Sequence, residues 1–138
     1  MAKAIATNEI GGDLYCEGDL IFEDQNLADT AATTSSEFML AQTMGAAQIN
    51  IIAGADGVST ADTYVVTVIT ADVSGGTFNN TAISQNVTVA GTEVAGDALA
   101  QIAVPREVAE CHSKLVITTT GDSAADEVTA YQVGVCYS

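Results

Sequence analysis

His112 is the single histidine of the chain, and Glu107 and Glu110 stand close to it in sequence, so the one general acid–base pair on offer would be there. An imidazole that moves protons also needs a nucleophile or a polarised bond to serve. No G-x-S-x-G elbow accompanies this one, and the serines near it lie in turn-forming context, so His112 is expected to be an exposed loop residue with no catalytic role. A single histidine excludes three-histidine and His–Glu metal sets. Cys16, Cys111 and Cys136 are odd in number, far apart and without a C-x-x-C pair, which argues against structural zinc. Cys136 alternates with Val133 and Val135, and Cys16 adjoins Tyr15. Both are read as small apolar side chains in strands; a disulfide is allowed and not implied.

Two stretches concentrate oxygen ligands: Asp56-Gly57-Val58-Ser59-Thr60-Ala61-Asp62 and Asp122-Ser123-Ala124-Ala125-Asp126-Glu127. Neither has the D-x-D-x-D-G spacing that sets alternate carboxylates around one Ca²⁺, so both are read as solvated turns. Asn79-Asn80-Thr81 and Asn86-Val87-Thr88 match the glycosylation sequon, but the start MAKAIATNEI has no apolar stretch of signal-peptide length to carry the chain to that chemistry. No Gly-rich loop followed by Lys is present to cradle phosphates. The residues thus nominate no catalytic, cofactor-binding or metal site, and no cofactor. The chain reads as a β module, not an enzyme, that binds by shape.

Eighteen acidic residues against three basic ones give a formal charge of −15. The acids are scattered between β-prone apolar segments, which describes a folded domain with a negative surface rather than an acidic tail. A nucleic acid held through its phosphates needs clustered cations, and Lys3, Lys114 and Arg106 are all there are, so no nucleic-acid partner is expected. No apolar run approaches the roughly 20 residues of a membrane helix. The chain is therefore read as soluble and made in a cytoplasm.

The elements that must position these residues read as strands. Of the 138 residues 48% are apolar, chiefly Ala, Val and Ile; there is no Trp, and only Phe22, Phe38 and Phe78 join four tyrosines, so a thin β-branched core is expected. Residues 1–13 are small and polar and end in Gly11-Gly12-Asp13. Strand material follows at residues 14–22, 37–40, 48–52, 63–70, 86–89 and 98–104, where Pro105 stops the run, and then at 114–120 and 128–135. Residues 23–36 read as a long connection with one short extended piece. The strongest strand, 63–70, has β-branched residues on both faces, as a central strand would. About eight strands with turns every 8–15 residues predict an all-β antiparallel sandwich or jelly roll over residues 20–138, with residues 1–19 as an N-terminal arm. The last two strands are expected to form a closing hairpin.

The run Leu20-Ile21-Phe22-Glu23-Asp24-Gln25-Asn26-Leu27-Ala28-Asp29-Thr30-Ala31, an apolar segment, an acidic-Gln step and an Ala/Thr-rich passage, resembles the opening of a family of tailed-bacteriophage capsid cement, or decoration, proteins. The order of the later strands is similar to theirs: residues 63–70 with the turn Ala71-Asp72-Val73-Ser74-Gly75-Gly76, the strand ending at Val104-Pro105, and the closing segments 115–121 and 129–133. The segment before Leu20 is longer than the family's pattern. The resemblance implies a jelly roll on the outside of an icosahedral virion shell, with the major capsid protein and further copies of itself as partners, a dimer being favoured over a trimer. It brings no catalytic residue. A fibre or adhesin module that binds a glycan or host receptor is the alternative, weakened by the absence of Trp to stack on sugar faces.

Overall fold

The computed structural model describes residues 8–10, 13–40, 47–104, 112–121 and 126–137. They form ten strands: β1 (Asn8–Ile10), β2 (Asp13–Asn26), β3 (Ala32–Thr34), β4 (Phe38–Met39), β5 (Ala47–Ala53), β6 (Asp62–Ala71), β7 (Asn80–Val89), β8 (Ala98–Val104), β9 (His112–Thr118) and β10 (Glu127–Tyr137). One sheet runs β1-β2-β10-β5-β8. The other runs β3-β9-β6-β7, with β4 also on β9. Every pairing is antiparallel.

Setting β1 aside and counting β3 and β4 as one interrupted strand, the pairs nest: β2 with β10, β3/β4 with β9, β5 with β8 and β6 with β7. A long hairpin folded in this order and rolled up, so that β10 also meets β5 and β9 also meets β6, is a jelly roll. The expected sandwich is therefore present.

Period-2 alternation decides which side chains enter the core. On β6, Tyr64, Val66 and Val68 point inward and are at most 1% exposed, while Val65, Thr67 and Ile69 face outward and are half-buried. Ile49 and Ile51 of β5, Ile102 of β8, Leu115 and Ile117 of β9, and Val128 and Ala130 of β10 complete one shared core. β6 is central, between β9 and β7, as its composition predicts.

Two expectations change. The closing hairpin does not exist: β9 lies in the sheet of β6, and β10 lies between β2 and β5 in the other. The buried residues of these two strands meet across the core instead of along a ladder. β7 starts at Asn80 rather than Asn86. As an edge strand it needs few inward apolar residues, so its first half shows little alternation. The strand holding Leu20 extends back to Asp13 and pairs with β10 as far as Tyr137.

Candidate functional site

The two stretches read as separate solvated turns come together in space. Asp126, just before β10 and fully buried, accepts hydrogen bonds from Ser59 N (2.9 Å) and Ser59 Oγ (3.4 Å) on one carboxyl oxygen. Its other oxygen accepts one from the Tyr64 hydroxyl at 2.9 Å. Tyr64 reaches it because the inward phase of β6 places the ring in the core, where a phenol must find a partner. Burial, followed by the hydrogen bond to Asp126 and the nearby negative charge, pushes the Tyr64 phenol far above its ordinary pKa, so it is a neutral donor.

Next in sequence, Glu127 N donates to Gly57 O (3.0 Å), Gly54 N donates to Glu127 O (2.8 Å), and Asp56 N donates to Glu127 Oε1 (3.1 Å). Asp24 joins from β2: its Oδ1 accepts from Ala55 N at 2.9 Å, and its N donates to Thr129 Oγ1 at 3.0 Å. The bond from Asp56 N lowers the Glu127 pKa. Burial, a hydrogen bond with the Asp56 side chain and the charges of Asp56 and Asp24 outweigh it and leave that pKa above its ordinary value. The loop turns back on itself at Gly57, whose φ of +71° suits glycine; a Cβ there would lie 2.5 Å from Glu93 O.

Asp62 performs the matching task where the chain leaves β9. It accepts hydrogen bonds from Thr120 N (3.2 Å), Gly121 N (3.2 Å) and the Thr120 hydroxyl. The passage from β9 to β10, which changes sheets, is thus held at its start by Asp62 and at its end by Asp126. These carboxylates are spent on backbone N–H and hydroxyl donors. Among the described residues no group of three or more His, Cys, Asp and Glu is arranged to hold a metal ion. Asp122 lies outside the described residues.

His112 begins β9, half-buried, with Nδ1 3.4 Å from Glu37 Oε2. That nitrogen makes no hydrogen bond, so the contact is electrostatic and acts only when the ring is protonated. Glu37 is instead held by Gly75 N and Ser74 Oγ, each at 2.7 Å. Those two bonds, Gly75 first, hold its carboxyl below the ordinary value against the opposing effect of burial, with His112 adding to them. Glu107, Glu110 and Cys111 lie outside the described residues. Cys16 stands opposite Gly134 in the β2–β10 ladder, and Cys136 opposite Leu14. Lys114 places its Nζ 4.7 Å from the centre of the Phe78 ring, so this cation packs on the connection between β6 and β7.

Sequence reading missed the Ser59–Tyr64–Asp126 cluster, although one signal was available. Tyr64 sits on the core phase of the strongest strand, and a buried hydroxyl requires an acceptor; the identity of that acceptor, 62 residues on, was not marked by any motif.

By fold the chain belongs to the jelly-roll class of β-sandwich, with a polar clip between its sheets. No family model, no curated protein and no solved structure matches it. Among the described residues no helix is long and apolar enough to cross a membrane.

Proposed function

We propose that this chain is a capsid cement, or decoration, protein: a structural virion protein that binds the outer surface of an icosahedral phage shell and stabilises contacts between major capsid proteins. The observation that supports this reading most is a −15 charge carried on a jelly roll whose buried and half-buried acids hold its own turns. Packaged DNA is an anion, so a strongly acidic β module suits the outside of a shell and is repelled from its lumen. The partners are the major capsid protein and further copies of this chain, a dimer being favoured over a trimer, since twofold and threefold positions on a shell match symmetric ligands. Attachment of many negative copies side by side must come from apolar and backbone contacts or from basic patches on the shell.

The test is co-sedimentation of purified protein with expanded shells that lack it. Saturable binding at a fixed ratio to the major capsid protein, with shells more resistant to heat, is expected. No binding by folded protein overturns the reading and turns attention to a glycan screen for an adhesin.

A further inference from the structure

Charge is distributed unevenly along this acidic chain. No charged residue occurs between Asp72 and Glu93, and none between Asp97 and Arg106. Those two intervals contain β7 and β8, the strands at one side of the sandwich. Among the described residues β7 has β6 as its only strand neighbour, and β8 has only β5. The two strands lie near each other across the sheets, so together they form one flank with two open ladders and no carboxylate along either.

Open edges usually carry a lysine, a proline or an inward charge that prevents another strand from pairing. β7 has none of these along ten residues, and β8 none along seven. Each strand has one bulge, which leaves Ala82 of β7 unmatched between Thr81 and Ile83 and Leu99 of β8 unmatched between Ala98 and Ala100; beyond the first, residues 83–89 of β7 continue as a regular strand. There Ser84, Asn86 and Thr88 are exposed on the outer face and Val87 and Val89 are buried inward.

We infer that this flank is a self-association surface, on which β7 pairs antiparallel with β7 of a second copy. Two bodies of charge −15 approach with least repulsion where neither presents a carboxylate, and the flank is such a place. An antiparallel strand pair is its own twofold mate, so a closed dimer follows from one edge without a second complementary surface. With the axis normal to the sheets, the same rotation turns β8 toward β8 of the partner, because stacked sheets keep their strands within about 30° of each other. Centred on the regular segment 83–89, the pairing sets Asn86 against its own symmetry mate and Ser84 against Thr88. This inference names the surface for the self-association proposed above; its test needs no shell, so it fails or stands separately from shell binding.

The experiment is sedimentation velocity of the purified full chain up to roughly 100 μM, a range that detects even weak dimers. Wild type, Asn86→Glu, Asn86→Lys and an equimolar mixture of the two variants are compared. Like charges facing each other across a strand pair repel, so each variant alone is expected to dimerise roughly tenfold or more weakly, and the mixture to recover the dimer. A monomeric wild type overturns the inference. So does a wild-type dimer that both variants leave at unchanged strength. If a variant fails to fold by circular dichroism, amide exchange of wild type decides: slower exchange at residues 83–89 with rising concentration supports the pairing, and exchange independent of concentration overturns it.

Discussion

Tyr64 Oη donates to Asp126 Oδ2 at 2.9 Å, joining β6 to the start of β10 in the opposite sheet. Both residues are at most 1% exposed, so water cannot replace either partner. Tyr64→Phe keeps the ring and removes one donor from a buried carboxyl that retains Ser59. The expected loss is about 1–2 kcal/mol of unfolding free energy, read by urea denaturation with an unchanged slope.

Gly57→Ala imposes a left-handed conformation on a residue with a side chain and drives its Cβ into Glu93 O. The neighbouring atom is backbone and cannot rotate away. A loss of more than about 2 kcal/mol is expected in the same denaturation assay. An alanine variant as stable as wild type would show that the loop repacks.

Thr30 offers the opposite sign. It is exposed, β-branched and held at φ +47°, a region such residues avoid, while its N donates to Gly121 O. Thr30→Asn retains the N–H and tolerates the backbone angle, so a gain of up to roughly 1 kcal/mol is expected in thermal or chemical unfolding.

Glu127 has a folded pKa above its unfolded one, so its carboxylate form is disfavoured in the folded state. Its contribution to stability is fully present below the ordinary carboxylate value and is lost as pH rises through the raised one. Glu127→Gln keeps an acceptor for Asp56 N–H and carries no charge. The variant is expected to melt higher than wild type at neutral pH, with the difference shrinking as the solution is acidified.

Glu37 behaves in reverse. Its folded pKa is depressed, so what it contributes is present above the ordinary carboxylate value and disappears as pH falls through the lowered one. Glu37→Gln is expected to lower the melting temperature slightly at neutral pH, where the exposed turn at Ser74 and Gly75 loosens, and to coincide with wild type in acid. A gap that persists in acid would assign the effect to shape rather than charge.

Strand positions were largely legible. The alternation at residues 48–52 and the β-branched run at 63–70 located β5 and β6, and Pro105 marked the end of β8 at Val104. Such patterns report which face of a strand is buried, because the pleat has period two. They do not report which strand lies alongside. That is why Leu115 and Val128, both core residues by alternation, read as members of one hairpin although they enter the core from different sheets. The same limit hid the clip. Asp126 and Glu127 resembled Asp122, acids in a polar turn, until the fold brought Ser59, Tyr64 and Asp56 against them.

Local chemistry along the chain therefore settles its all-β class, a core rich in Val and Ile and its charge of −15, since each depends on residue type and short-range spacing. The nested pairing of β2 with β10, β3/β4 with β9 and β5 with β8 comes from contacts between residues far apart in the chain, and no pattern of neighbours encodes them. Folding also gathers the uncharged intervals into one flank and turns scattered acids into acceptors for particular donors. Both are outcomes of distance in space, which the order of residues leaves open.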